Sequence, residues 1–203
     1  MNSQPIDCII FDIGNVLFPF DYERAGHRLA GSYTVNRELV VEAKADLESG
    51  RIQRAEFLAR VRPEFEFAGT DEEFLAIWSD IFDHNHAMEN LVRRLARTHP
   101  LFLLSNISCI HRHFLHENYE FLSLFRDGIY SYEVGLLKPD PAIFRLARDR
   151  FAPVPSRAIY IDDMPENVAA ALAEGFIAIQ YDFRNHLPTE SRILEILKTG
   201  ASD

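Results

Sequence analysis

The 203-residue chain has few of the features that mark secreted, membrane or nucleic-acid-binding proteins. Its two cysteines, Cys8 and Cys109, are too few for a disulfide framework, and we expect both to be free thiols. No apolar run approaches the roughly 18 residues of a membrane span, and the opening MNSQPID lacks the charged start and apolar core of a signal peptide. We therefore expect a cytoplasmic protein with no membrane partner.

Positive charge is also scarce, because 21 lysines and arginines stand against 31 acidic residues, for a net charge of −10. Nucleic acids and anionic membranes attract basic surfaces, so neither is expected as the main partner. A small anion can still bind where positive groups are local. The length suits one core of about 100–200 residues with a small inserted subdomain, and we expect a monomer or a weak homodimer.

Short continuous apolar runs alternate with amphipathic helical patterns along most of the chain. The runs CIIF, LFLL, AIYI and FIAI, which begin at residues 8, 101, 158 and 176, predict strands buried on both faces. GIYSY near Ile129 is a weaker candidate. Helical patterns between these runs complete a strand-helix alternation that predicts an α/β fold, a doubly wound, Rossmann-like parallel sheet.

One segment breaks this alternation. Residues 21–85 contain helical patterns but no strand-like run, and the turn signals ESG (48–50) and AGT (68–70) separate the helices. We predict a core of residues 1–17 and 86–203, with a small helical cap of residues 18–85 inserted after the first strand. Ligands of open α/β sheets bind outside the carboxyl ends of the strands, so such an insertion would cover the binding site.

Polar side chains follow the predicted strands, at the edge where ligands bind. The set comprises Asp12, Ser105, Asn106, Lys138, Asp162 and Asp163. An aspartate can attack phosphorus to form an acyl-phosphate, a hydroxyl and an amide can bind the transferring group's oxygens, and a lysine offsets the negative charge. Converging carboxylates at 12, 162 and 163 imply a hard divalent cation, for which Mg²⁺ is suited.

Four stretches, FDIGNVL, LLSN, GLLKPDP and IYIDDMPENV, resemble in order and spacing the four motifs of the haloacid dehalogenase (HAD) superfamily, and the helical insertion resembles its type 1 cap. The resemblance implies that Asp12 is the nucleophile and that Ser105 and Lys138 bind the phosphoryl group. It also implies Mg²⁺ coordination by Asp163, with Asp162 adjacent or behind it, and by the backbone carbonyl at position 14. DIGNV, ESGRI and LLSN are similar to those of bacterial sugar-phosphate phosphatases such as α-glucose-1-phosphate phosphatase.

Gly14 departs from the superfamily pattern, in which most phosphatases carry a second aspartate that serves as general acid and base. A glycine keeps the carbonyl but cannot transfer protons, and general acid catalysis contributes about 10²–10⁴-fold. Asp21 or another group of the cap could replace it, although Asp21 is better explained as the cap of the first inserted helix. Alternatively, the substrate is an anomeric or similarly activated phosphate that needs less help.

The sequence thus predicts a Mg²⁺-dependent phosphatase for a small phosphorylated metabolite, with a sugar phosphate favoured. The turn at residues 48–51, with Arg51 as a substrate-binding residue, is the candidate for substrate selection. Two alternatives remain. One is a 2-haloacid dehalogenase, which needs no metal and is disfavoured by the acidic pair at 162–163; the other is a catalytically weak phosphate-binding or regulatory protein, which Gly14 keeps open.

Five histidines superficially resemble metal ligands: His84, His86, His111, His113 and His116. Neither the first pair nor the cluster near Cys109 shows a recognised spacing of ligands. We therefore interpret them as exposed helix or hinge residues.

Overall fold

A five-stranded parallel sheet forms the centre of the computed structural model, which describes residues 4–30, 35–65 and 67–200. The strands are β1 (Cys8–Phe11), β2 (Leu101–Ser105), β3 (Asp127–Tyr130), β4 (Ala158–Asp162) and β5 (Ile177–Gln180). Their order is β3-β2-β1-β4-β5, and every neighbouring pair is parallel. The first strand is central and the chain adds strands on both sides of it, which confirms the predicted doubly wound α/β fold.

Helices cover both faces of this sheet. The described residues contain α1 (Tyr22–Ala30), α2 (Arg37–Glu48), α3 (Arg54–Val61), α4 (Asp71–Ser79), α5 (His86–Leu95), α6 (Cys109–Asn118), α7 (Ser131–Val134), α8 (Pro141–Phe151), α9 (Pro165–Ala173) and α10 (His186–Thr199). In β1, Ile9 and Phe11 belong to a core shared with α5, α6 and α10, whereas Cys8 and Ile10 belong to one shared with α8 and α9. Successive strand residues point to opposite faces, so a strand covered on both faces is apolar throughout.

The four helices α1 to α4 form a helical insertion between β1 and α5, with an apolar core of its own. That core is built largely from buried side chains of Leu47, Phe57, Val61, Phe74 and Trp78. The predicted domain limits at residues 18 and 85 lie just outside the helices and stay a prediction.

The insertion leaves and rejoins the sheet domain through two paired segments, residues 19–21 and 81–83, which we call the linker pair. The backbone N–H of Asp21 donates to Ile81 O at 2.9 Å, and that of Asp83 donates to Pro19 O at 2.7 Å. Phe20 and Phe82 form an antiparallel bridge between these bonds. The two connections therefore lie side by side.

Several smaller expectations meet the structure here. Both cysteines are free. Asp21 Oδ1 accepts the Glu23 N–H at 2.8 Å, at the start of α1, as expected for a helix-capping aspartate. The expectation that the histidines of the cluster near Cys109 are exposed is wrong for His111, which is buried between the insertion and the sheet domain. Among the described residues, no helix is long and apolar enough to cross a membrane.

Candidate active site

The residues predicted from the strand ends come together at the carboxyl edge of the sheet. Asp12 directly follows β1, Ser105 ends β2 and Asp162 ends β4, while Lys138 reaches the same edge from the loop between α7 and α8. All four are buried. Parallel strands bring their carboxyl ends to one side, so buried strand tips from distant parts of the chain become neighbours.

Lys138 lies between two carboxylates. Its Nζ is 2.9 Å from Asp12 Oδ1 and 2.6 Å from Asp162 Oδ2. Burial alone would lower the pKa of Lys138, but the two aspartates outweigh it and raise the pKa above its usual value. The ammonium group therefore stays charged in a site that excludes most water.

Asp162 is held by protein donors on both oxygens. Oδ1 accepts the backbone N–H of Met164 and the side-chain amide of Asn167, each at 2.9 Å, while Oδ2 accepts the Tyr160 hydroxyl as well as Lys138. Burial acts to raise the pKa of Asp162, but Lys138 and these hydrogen bonds lower it overall. Asp162 is thus a fixed anion that positions the lysine.

Asp163 faces a residue that the sequence did not single out. Asn15 donates its side-chain amide to Asp163 Oδ2 at 3.0 Å. Its φ of 52° lies in the left-handed region, which asparagine tolerates better than most side chains. Burial raises the pKa of Asp163, and Asn15 partly offsets that effect.

Asp12 differs from its neighbours because part of its carboxylate is left unsatisfied. Its Oδ1 is buried and has no aligned hydrogen bond among the described residues, although Lys138 Nζ lies within ion-pair distance. Burial raises the pKa of Asp12 to about 6; Lys138 and the Ser105 hydroxyl act to lower it, whereas Asp162 raises it further. A nearby cation would favour the charged form.

The acidic residues fit a divalent metal ion. Ligand atoms of Asp12, Asp162 and Asp163 lie within 4.8 Å of one another, and Oδ1 of the first is the buried atom without a hydrogen bond. Carboxylate oxygens suit hard cations such as Mg²⁺. Because protein donors already occupy both oxygens of Asp162, Asp12 and Asp163 are the better placed ligands.

Asn106 makes different contacts from those expected. Its side-chain amide donates to Lys138 O at 2.9 Å, and its Oδ1 accepts the Lys138 backbone N–H at 2.9 Å. The sequence assigned this amide to a transferring group, whereas the structure has it bracing the backbone of Lys138.

The space beside Gly14 is taken by an aromatic ring. A Cβ atom at this position would lie 2.9 Å from Cε1 of Phe20, which belongs to the linker pair. Real Cβ contacts are longer than this, so any side chain at position 14 requires the ring to move. Glycine is therefore the residue that fits at position 14 with the Phe20 ring in its present place.

A cavity of about 140 Å³ lies beside Gly14, between the sheet domain and the insertion. Its polar lining includes Ser105, Asn106 and His111 from the sheet domain and Tyr22, Lys44 and Glu48 from the insertion. Burial raises the pKa of Glu48, while Lys44 and the Tyr22 hydroxyl act to lower it. Arg51 is not brought to this cavity: its side chain is 62% exposed and pairs with Asp46 at 2.7 Å.

The turn that carries Glu48 docks on the sheet domain. Ser131 Oγ, directly after β3, donates to Glu48 O at 2.5 Å. Gly50, with φ of 72°, packs so closely on the Tyr132 carbonyl that a Cβ atom would collide with it. The turn predicted to select substrate therefore rests above the strand ends.

HAD-type hydrolases have a doubly wound sheet with a helical insertion after its first strand. A buried lysine lies between carboxylates at the strand tips, as it does here. The chain belongs to this family, because the family model for haloacid dehalogenase-like hydrolases matches residues 6–175.

Solved structures show the same fold. A HAD family enzyme from Bacteroides thetaiotaomicron in a magnesium complex is 22% identical, with a TM-score of 0.79 over 93% of this chain and 100% of that one. Another structure of that enzyme holds magnesium and inorganic phosphate, at 24% identity and a TM-score of 0.74 over 86% of this chain and 93% of that one. A 2-haloacid dehalogenase from Pseudomonas syringae is 20% identical, with a TM-score of 0.60 over 87% and 86% of the two chains.

Among curated proteins, Acyl-CoA dehydrogenase family member 10 of Mus musculus is 42% identical over 48 residues. The match spans 24% of this chain and only 4% of that protein.

Proposed function

We propose that this protein is a Mg²⁺-dependent phosphatase for a small phosphorylated metabolite and that Asp12 forms an aspartyl-phosphate. The observation that carries this proposal is the pair of contacts from Lys138 to Asp12 and Asp162. Asp162 has every oxygen held by the protein, whereas Asp12 keeps a buried oxygen free of aligned hydrogen bonds. One carboxylate is thus arranged to hold the lysine and the other to attack.

The neighbouring groups have distinct tasks in this proposal. Lys138 and Ser105 bind the phosphoryl oxygens, and the ammonium offsets charge that develops during the in-line attack. Asp12, Asp163 and the backbone carbonyl of Gly14 hold Mg²⁺, which when bound supplies Lewis-acid stabilisation of the phosphoryl oxygens. As the bond from Asp12 to phosphorus forms, the bond from phosphorus to the leaving oxygen breaks and the sugar departs, taking a proton from solvent. Water then hydrolyses the acyl-phosphate, which releases inorganic phosphate and regenerates Asp12.

The acidic pair at 162–163 favours phosphorus over a halogenated carbon as the reaction centre. A dehalogenase of this superfamily needs no metal, so a second carboxylate near the nucleophile would only repel an anionic haloacid. Here Asn15 holds Asp163 in place near Asp12, which is the arrangement a cation requires. Likeness of fold to a dehalogenase does not bear on this choice.

The substrate in this proposal has a leaving group that departs without an acid at position 14. Phe20 occupies the space beside Gly14, and Asp21 is hydrogen bonded at the start of α1. A sugar 1-phosphate fits, because its anomeric oxygen is less basic than an ordinary alkoxide. Glu48 rather than Arg51 is the residue of the 48–51 turn that faces the leaving group, in keeping with the resemblance to bacterial sugar-phosphate phosphatases.

Phosphate release from sugar 1-phosphates and 6-phosphates, with Mg²⁺ or with EDTA, tests the proposal. We expect Mg²⁺-dependent turnover that is at least about tenfold faster for the 1-phosphates. Asp12→Asn should lower kcat at least about 10³-fold because it removes the nucleophile. The matched control is Asp149→Asn, which makes the same change at an exposed aspartate of α8 and should leave kcat unchanged.

Other outcomes point elsewhere. Turnover that persists in Asp12→Asn contradicts the mechanism, and equal rates with both phosphate classes contradict the activated leaving group. Chloride release from 2-haloacids in EDTA would make the protein a dehalogenase. Mg²⁺ binding without turnover of any phosphate would favour a binding or regulatory protein.

A further inference from the structure

A second group of metal-ligating side chains lies at the junction between the helical insertion and the sheet domain. Ligand atoms of His84, His86 and Glu89 lie within 4.8 Å of one another. We propose that these three residues bind a divalent transition-metal ion of the Zn²⁺ type, at a site separate from the acidic cluster around Asp12.

The three ligands come from a single tight connection. His84 follows the linker pair, and His86 and Glu89 lie one turn apart at the start of α5, so they share a face of the helix. The His86 N–H contacts His84 O at 3.2 Å, and this turn brings the two imidazole rings to a centroid distance of 4.0 Å. Sequence spacing alone offered two histidines without a third ligand, whereas the helix supplies Glu89.

The ring of His84 is held in position by aromatic neighbours. It lies parallel to Phe121, with centroids 5.9 Å apart, and edge-on to Tyr119 at 5.2 Å. Arg93 donates from Nε to Glu89 Oε1 at 2.7 Å, which leaves Oε2 facing His84. Contacts of this kind, from groups behind the ligands, orient metal-binding side chains.

His84 Nε2 has a carboxylate neighbour but no aligned hydrogen bond among the described residues. The atom is buried, and Glu89 Oε2 is 2.5 Å away. An ion pair between His84 and Glu89 accounts for two of the three residues and does not explain why the His86 ring lies beside them. A cation bound by two nitrogens and one oxygen, after a small opening of the His84–Glu89 contact, involves all three.

The donor set determines which ion fits. Two imidazole nitrogens and one carboxylate suit Zn²⁺ and its neighbours in the first transition row, with remaining positions filled by water. Mg²⁺ prefers oxygen ligands and stays at the carboxylates. His86 is exposed, so the ion enters directly from solvent.

Calorimetric titration of the full chain with Zn²⁺, in excess Mg²⁺ that occupies the acidic cluster, tests this site. We expect one Zn²⁺ ion per chain, and His86→Ala should weaken binding at least about tenfold. The matched control is His113→Ala, which should bind Zn²⁺ as the unmodified chain does. His113 is exposed and, within the described part of the chain, pairs with one carboxylate, that of Glu117 at 3.2 Å. Bound Co²⁺ should show the visible spectrum of a nitrogen-ligated ion, and His86→Ala should lose it.

Two results would overturn the proposal. One is Zn²⁺ affinity that is the same in His86→Ala and the unmodified chain. The other is an equal loss of affinity in His113→Ala, which would mean that surface histidines bind the ion non-specifically. Because the readouts are heat and absorbance, neither result depends on whether the protein is a phosphatase.

Discussion

Asp12 and Asp162 show how the surroundings of single residues give two like side chains different acid strengths. Both contact Lys138, yet the pKa of Asp162 is lowered while burial raises that of Asp12 to about 6. Burial acts to raise both pKa values, and at Asp162 this effect is outweighed by Lys138 together with the hydrogen bonds from Tyr160 and Asn167. Paired carboxylates with divergent environments are a common basis for distinct roles in one site.

At Gly14, we predict that an acid is restored more effectively when Phe20 is reduced as well, because a Cβ atom at this position lies 2.9 Å from the Phe20 ring. Gly14→Asp alone places its Cβ atom against the ring, so the new carboxylate is misdirected. The double variant Gly14→Asp/Phe20→Ala should raise kcat for sugar 6-phosphates at least about tenfold, because general acids contribute about 10²–10⁴-fold. Steady-state phosphate release measures the effect.

The control for this prediction is Phe20→Ala by itself, which opens the same space without adding an acid. If the double variant is no faster on 6-phosphates than Phe20→Ala, the missing aspartate does not limit turnover.

The positions of the candidate site residues could be predicted where each one ends or directly follows a buried strand, as Asp12, Ser105 and Asp163 do. Phe20 and Tyr160 could not, although each contacts a residue close to it in sequence, because an apolar pattern does not show that one ring lies beside Gly14 or that the other donates its hydroxyl to Asp162. Asn106 lies at the expected edge of the sheet, but its contact with the Lys138 backbone could not be predicted, since a sequence does not show whether an amide faces ligand or backbone.

Among the structural elements, the turn between α2 and α3 packs tightly on the sheet domain and should be sensitive to substitution. Gly50→Ala should lower the free energy of unfolding by at least about 1 kcal/mol, because a positive φ is costly for alanine and its methyl group meets the Tyr132 carbonyl. Denaturant unfolding measures this change.

Gly26→Ala is the matched control, since a Cβ atom at Gly26 in α1 meets nothing within 4 Å. It should stabilise the protein by roughly 0.5–1 kcal/mol, as expected for a glycine in a helix. Equal effects of the two substitutions would contradict the tight docking of the turn.

Element types followed closely from the apolar patterns, including the weak candidate strand near Ile129. The order of the strands could not be predicted from these patterns, because it depends on backbone hydrogen bonds between segments that are distant in sequence. The sequence likewise gives no sign of the hydrogen bonds within the linker pair, because they join residues about sixty positions apart.

For the molecule as a whole, His111 links the helical insertion to the sheet domain. The residue belongs to α6, while its ring nitrogens lie 3.4 Å from the Tyr22 hydroxyl and 3.3 Å from Trp78 O. Burial lowers the pKa of His111 to about 4, the Trp78 carbonyl partly opposes this, and Lys44 adds to it. The folded protein therefore favours the neutral ring.

The pH dependence of stability should reflect this shift. The unfolded chain binds a proton near the ordinary pKa of 6.5, so the stabilisation is complete above that pH and is lost as pH falls towards 4. Relative to His111→Gln, the unmodified chain should lose up to about 3 kcal/mol across this range. Denaturant unfolding at several pH values measures it, and parallel profiles for the two proteins would refute it; contributions from Asp12 cancel in the comparison.

The linker pair also bears on how such a molecule can diversify. Because the two connections are hydrogen bonded to each other, the chain enters and leaves the insertion at one place, and an exchanged insertion would have to keep this pairing and the docking contacts of Glu48 and Trp78. Under the proposed function, we expect such an exchange between relatives to change which leaving group is accepted and to leave the residues at the sheet edge in place.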